Sequence, residues 1–202
     1  MLTIDRTALR LPPDQYVPQT TDKRGIVLHF TAGTTASGAF ASWAASPERV
    51  ATAYILDRDG QIYETFPPEQ WAWHLGCALH EPSTIGIEIV NVGPLKRRGD
   101  DLYWWPENYT RYVYCTMADT TRYVRADYRG FSYYAAFLPK QMDALPALLY
   151  ELEGRFLIPH TLVGHDRFDL PAMKDFRGIA AHQNYRADKM DVGPAFQWDL
   201  IR

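Results

Sequence analysis

Six histidines stand at positions 29, 74, 80, 160, 165 and 182 of the 202-residue chain, and two of them keep informative company. His29 sits between Leu28 and Phe30 in the run Gly25 to Thr31, GIVLHFT. A polar ring in the middle of such a strand is costly unless it finds a partner, and an ordinary hydrogen bond in the core would be enough. His182 opens a stretch in which a histidine, Lys189 and Asp191 fall within ten residues, ahead of Gly193-Pro194. Two neutral imidazoles with one carboxylate make a ligand set suited to catalytic Zn²⁺, with a fourth position left for water. His-x8-Asp is not a metal motif in isolation, so spacing alone leaves that assignment open. Glu88, in IGIEIVN, is a second anomaly. It is either a solvent-facing residue of an edge strand or a carboxylate aimed into a cleft, its pKa raised by partial burial so that it accepts a proton near neutrality. Lys189 is by default a surface lysine, but beside a metal-bound carbonyl its ammonium could stabilise a developing oxyanion.

These groups need a scaffold. GIVLHFT alternates as a strand, with Ile26, Leu28 and Phe30 facing one way and Val27, His29 and Thr31 the other. Ala36 to Ala45 puts Phe40, Trp43 and Ala44 at helical spacing. Two alternating runs flank Asp57-Arg58-Asp59-Gly60, the pattern of a hairpin. Ile85 to Asn91 is a further strand, with Ile85, Ile87 and Ile89 on one face and Glu88 on the other beside Gly86 and Val90. Pro139 opens a helix lined on one side by Met142, Leu145, Leu149, Leu152 and Phe156, and Pro146 should kink or divide it. Residues 1–23, punctuated by Pro12, Pro13 and Pro18, read as an arm packed on the body formed by 24–202. A segment of about 93–134, rich in Tyr, Trp and Arg, is too long for a structureless loop and is expected to be a partly ordered insertion near a groove. From Thr161 onward the chain reads as loop-rich. The expected class is α/β (α+β), a single domain with a central mixed β-sheet flanked by helices.

Composition narrows the function. Hydrophobic residues make up 47% and charged residues 22%, which excludes disorder, and 202 residues favour one domain. A net charge of −3 provides no broad basic footprint for nucleic acid or anionic lipid. Aromatic residues reach 14%, which suggests a groove lined with flat faces. Trp71, Trp73, Trp104 and Trp105 could supply stacking surfaces there, or could serve the core. Cys77 and Cys115 are too few for a disulfide framework and lack zinc-finger spacing, so reduced thiols are expected. No apolar run has the length of a signal peptide or a membrane helix, so the chain is expected to be cytoplasmic as synthesised and not membrane-inserted.

Taken together, five ordered blocks carry a resemblance. They are Val27 to Gly33 (VLHFTAG), Tyr54 to Gly60 (YILDRDG), Ala72 to Gly76 (AWHLG), Ile85 to Asn91 (IGIEIVN), and His182 through Lys189-Met190-Asp191-Val192-Gly193-Pro194. The chain from about Gly25 to Trp198 resembles the zinc-dependent N-acetylmuramoyl-L-alanine amidases, a family that shares its fold with the peptidoglycan-recognition proteins. The resemblance implies His29, His182 and Asp191 as zinc ligands on an open groove, Glu88 as proton acceptor and Lys189 as oxyanion partner. It implies substrate contacts at His74, with Trp73 and Trp71 beside it. The implied reaction hydrolyses the amide between the lactyl group of N-acetylmuramic acid and the L-alanine of the stem peptide, in peptidoglycan or in muropeptides. Zinc would polarise the carbonyl and acidify a water, and Glu88 would carry the proton to the leaving amine.

Three places depart from the family pattern. Ala51-Thr52-Ala53 stands where a histidine or aromatic residue is common, and Asp191-Val192-Gly193 replaces Asp-Pro-Gly, which should loosen the turn. His165, in LVGHD, also resembles the second histidine block, but it lies 26 residues before Asp191, which favours His182. His80 and His160 read as structural or surface residues. The same scaffold also serves non-catalytic recognition of peptidoglycan, or could act on another acylated amine. Without a signal peptide, the chain fits a recycling enzyme, a phage lysis protein released through a holin pore, or an exported toxin with an immunity partner.

Overall fold

The computed structural model describes residues 2–202. Strands β1 (Ile4–Asp5), β2 (Gly25–Phe30), β3 (Tyr54–Leu56), β4 (Ile62–Glu64), β5 (Thr84–Ile89) and β11 (Gly178–Ala181) form one mixed sheet in the order β1-β4-β3-β5-β2-β11. Strands β6 (Pro94–Arg98), β7 (Asp101–Tyr103), β8 (Val113–Thr116), β9 (Tyr123–Tyr128) and β10 (Phe131–Ala135) form an antiparallel sheet in the order β8-β7-β6-β10-β9. The helices are α1 (Ala36–Ala44), α2 (Pro106–Tyr109), α3 (Pro139–Phe156), α4 (Leu170–Met173) and α5 (His182–Tyr185).

Register in the first sheet decides which side chains meet. β2 and β5 run parallel with Val27 opposite Gly86 and His29 opposite Glu88. Because side chains alternate along a strand, these four share one face, and Ile26, Leu28, Ile85 and Ile87 take the other. β11 pairs in parallel on the far side of β2, its last pair joining Ala181 to Leu28. His182 follows one residue later and falls next to His29. The site thus lies at the carboxyl ends of three parallel strands, where open sheets of this kind leave a crevice for ligands.

The opposite face is closed by α3. Its Met142, Leu145, Leu148, Leu149 and Leu152 are buried against Ile26, Leu28, Ile85, Ile87 and Ile89. Each such side chain stabilises the fold by about 1.5–3 kcal/mol through removal from water. Buried Gln141 anchors the start of the helix, accepting from Leu138 N–H at 3.0 Å and donating to the Val90 carbonyl at 2.9 Å. Pro146 does not divide the helix, and α3 runs through it for 18 residues. Packing on the sheet outweighs the hydrogen bond that proline forfeits. The hairpin expected around Asp57 to Gly60 forms from β3 and β4, and Gly60 takes the positive φ of 88° that its turn requires.

Two regions are more regular than their composition suggests. The 93–134 segment, expected to be only partly ordered, contributes all five strands of the second sheet, with a small core of Leu95, Leu102, Tyr114 and Cys115. The stretch after Thr161, read as loop-rich, contains β11. Near the amino terminus, β1 adds an edge to the first sheet by pairing in parallel with β4. Cys77 and Cys115 are both free thiols.

Candidate active site

The structure brings His29, His182 and Asp191 together as a buried cluster. His29 Nδ1 and His182 Nδ1 are 3.0 Å apart, and each lies near Asp191 Oδ2, at 3.1 and 3.0 Å. Burial lowers the pKa of His29 from 6.5 to about 4, so its ring is neutral at pH 7. His182 Nε2 lies 3.0 Å from the Leu75 carbonyl, which can only accept, so a neutral His182 carries its proton on Nε2 and presents a bare Nδ1. A lone pair and a carboxylate oxygen thus face each other at hydrogen-bond distance without a proton to share. A cation relieves that repulsion. Ligand atoms about 2.0–2.1 Å from a tetrahedral zinc lie roughly 3.3 Å apart, close to the spacing observed, so the donor set fits the metal.

Gln183 holds the turn that carries Asp191. Gln183 N–H donates to the Asp191 carbonyl at 2.9 Å, and Gly193 N–H donates to Gln183 Oε1 at 3.1 Å. Because Gln183 follows His182 directly, the same residue ties both ends of the ligand loop together.

The cluster forms the floor of an open groove of about 340 Å³. Glu88 and Lys189 line it beside the three buried residues. Burial, followed by the Asp191 carboxylate, pushes Glu88 from 4.5 up to about 8, and Lys189 pulls it the other way. Val50, Ala51 and Thr52 contribute one wall despite lacking the aromatic residue common there. Trp43, Trp105 and Tyr109 supply the aromatic surfaces. Trp105, which is half exposed, is pinned by donating its Nε1–H to the Ala32 carbonyl at 2.6 Å. The second sheet therefore reaches the groove through the segment that follows β7.

Of the remaining candidates, His74 reaches the groove and the others lie away from it. His74 borders the groove, but its ring is largely buried, with Nδ1 3.0 Å from His29 Nε2 and Nε2 3.0 Å from Thr84 Oγ1. Trp71 and Trp73 pack edge to face, 5.2 Å between ring centres, and do not line the groove. Trp104 is half-buried against Tyr112, beside the core of the second sheet. His165 contacts Asn184 outside the cluster, His160 meets Glu153 at 2.7 Å, and His80 is buried against Tyr185. Sequence reasoning passed over Glu81, whose fully buried carboxylate accepts from four backbone N–H groups of residues 74–77. Nothing in a lone glutamate before Pro82 marks it from sequence.

The mixed sheet and the loop after β11 thus gather two histidines, an aspartate and a glutamate in one groove. The chain matches the N-acetylmuramoyl-L-alanine amidase family over residues 19–189 and belongs to it. The match stops just short of Asp191. No curated protein sequence matches the chain. Among solved structures it is similar to the N-acetylmuramyl-L-alanine amidase AmiD of E. coli, determined with an anhydro-N-acetylmuramic acid tripeptide substrate. Identity there is 19% and the TM-score 0.57, with 92% of this chain and 58% of AmiD covered. It is also similar to AmpDh3 of Pseudomonas aeruginosa in complex with an anhydromuramic pentapeptide, at 20% identity and TM-score 0.55, covering all of this chain and 65% of that one. PlyL gives 14% identity and TM-score 0.53 over 93% of this chain and 85% of PlyL. The chain thus spans less than two thirds of AmiD and AmpDh3, and at these identities the likeness is one of fold. No helix among the described residues is long and apolar enough to cross a membrane.

Proposed function

We propose that the protein is a zinc-dependent amidase that hydrolyses the bond between the lactyl group of N-acetylmuramic acid and L-alanine in peptidoglycan or its fragments. The observation that carries this reading is the convergence of His29 Nδ1, His182 Nδ1 and Asp191 Oδ2 within 3.1 Å on the floor of a groove that Glu88 also lines. Family membership supplies the substrate class, and the muropeptides bound by AmiD and AmpDh3 are consistent with it.

His29, His182 and Asp191 would hold the metal. When bound, it supplies Lewis-acid polarisation of the scissile carbonyl and an acidified water. Glu88 takes the proton of the attacking water on its carboxylate and returns it to the leaving amine of L-alanine. Burial raises the pKa of Glu88, and a metal held by His29, His182 and Asp191 would favour the ionised carboxylate that this role requires. Lys189 places an ammonium on the groove wall, where it stabilises negative charge developing on the carbonyl oxygen. Trp43, Trp105 and Tyr109 offer flat apolar faces to the sugar or the stem peptide.

Digestion of purified peptidoglycan, with products weighed by mass spectrometry, tests the proposal. Stem peptides bearing a free L-alanine amine, released with zinc and not after chelation, are the expected outcome. Tight binding without release would point to a recognition module, and release of glycan fragments would overturn the assignment.

A further inference from the structure

A histidine can turn Nδ1 to a metal only if its single neutral-state proton rests on Nε2, and something must hold it there. His182 is held by the Leu75 carbonyl, 3.0 Å from its Nε2. For His29 the control is indirect. The Thr84 hydroxyl donates its one proton to the His80 carbonyl at 2.9 Å. Thr84 Oγ1 can then only accept from His74 Nε2, at 3.0 Å. With its proton committed there, a neutral His74 has a bare Nδ1, which accepts from His29 Nε2–H at 3.0 Å. The chain of hydrogen bonds runs in one direction and leaves His29 Nδ1 without a proton, facing His182 and Asp191.

Both recipients, the His74 ring and the Leu75 carbonyl, belong to one loop. Residues 74–77 wrap round the Glu81 carboxylate, which is fully buried. His74 N–H donates to its Oε2 at 2.8 Å, Gly76 N–H and Cys77 N–H to its Oε1 at 2.6 and 3.3 Å, and Leu75 N–H to both at 3.1 and 2.9 Å. Glu81 Oε2 also lies 3.7 Å from His74 Nε2, too far for a hydrogen bond but close enough to favour a proton on that nitrogen. Gly86 makes room for the ring, because a Cβ there would stand 3.0 Å from His74 Nδ1.

We propose that Glu81 and Thr84 are positioning residues that fix the Nε2–H tautomer of both ligand histidines, Glu81 by clamping the 74–77 loop and Thr84 by setting the direction of the His74–His29 hydrogen bond. The proposal rests on the reading of the cluster as a metal site and adds an outer layer to it. Its test uses the metal-free protein labelled with ¹⁵N-histidine, in which long-range ¹H–¹⁵N spectra report which ring nitrogen carries the proton. His29 and His182 are expected as Nε2–H tautomers. Thr84→Val should convert His29 to a mixture of tautomers and weaken zinc binding ~10–100-fold, measured by competition with a chromophoric chelator, and Thr84→Ser should restore both. Glu81→Gln should perturb His29 and His182 together, whereas Thr84→Val affects His29 alone. An Nδ1–H tautomer at His29 in the parent protein would overturn the proposal, as would a Thr84→Val protein with unchanged tautomer and affinity. Because the spectra need neither substrate nor metal, failure to cleave peptidoglycan would leave this result intact, and an active amidase with the wrong tautomer would overturn this inference alone.

Discussion

Exchanging Glu88 for glutamine keeps the outline of the side chain and removes the one property the proposed chemistry asks of it, the capacity to take a proton. Turnover should fall by ~10²–10⁴, with zinc content unchanged. The structure adds a consequence of opposite sign for stability. Burial and the nearby Asp191 raise Glu88 from 4.5 to about 8, against the pull of Lys189. Between those pH values the folded chain keeps a proton that the unfolded chain has released, so the contribution of Glu88 to stability is full below pH 4.5 and is lost as pH rises through 8. At about 1.36 kcal/mol per tenfold change in proton activity, the full rise is worth at most about 5 kcal/mol. Glu88 is only half-buried and opens on the groove, so solvent screening reduces the expected size to about 1–3 kcal/mol. Glutamine does not titrate. In urea unfolding of the metal-free proteins, Glu88→Gln should therefore be the more stable at pH 8.5 by that amount, with the gap closing toward pH 5. A gap that is equal at both pH values, or that widens as pH falls, would refute the electrostatic reasoning. Turnover within tenfold of the parent would refute the catalytic role.

Other substitutions probe the surrounding structure. Gly86→Ala would place a Cβ 2.7 Å from Thr52 Cγ2 and 3.0 Å from His74 Nδ1. It should cost about 1–3 kcal/mol in thermal or urea unfolding and weaken zinc binding, and parent-like values on both would mean that β5 has slack at this point. Lys189→Met keeps the aliphatic stem and loses the ammonium, so kcat should drop by ~10²–10³ while KM and zinc content change little. A loss confined to KM would reassign Lys189 to substrate binding. Lys23 is buried with its Nζ donating to the Gln70 and Pro82 carbonyls at 2.8 and 2.9 Å, and burial lowers it from 10.5 to about 8. The unfolded chain binds the extra proton between those values, so stability should rise with pH across that window, and Lys23→Met should flatten the rise. An unchanged slope in the variant would place the titration elsewhere.

How far the site could be read in advance depended on local patterning. Alternation in GIVLHFT and IGIEIVN put His29 and Glu88 each on a definite face, because a period of two fixes orientation within a strand. That the two faces coincide depends on the parallel pairing of β2 with β5, which neither run specifies alone. β11, GIAA, escaped notice because two alanines and a glycine carry little strand propensity, although this strand delivers His182 beside His29. The second sheet was hidden by short, polar, tyrosine-rich strands that lack a clean apolar face. Of the four tryptophans that read as stacking surfaces, Trp105 lines the groove and Trp71, Trp73 and Trp104 do not, whereas Trp43 and Tyr109 join it from distant segments. Pro146 shows the converse case, a proline that does not divide the helix whose apolar stripe packs on the sheet. Glu81 acts through backbone N–H groups, which every sequence possesses, so its importance emerges only once the 74–77 loop is folded around it.

Anomalous scattering at the zinc edge, from crystals grown with stoichiometric zinc, addresses the metal centre directly. A single strong peak within about 2.0–2.2 Å of His29 Nδ1, His182 Nδ1 and an Asp191 carboxylate oxygen is the predicted result. Absence of a peak there, or a peak coordinated through His165 or through the Nε2 atoms, would contradict the account.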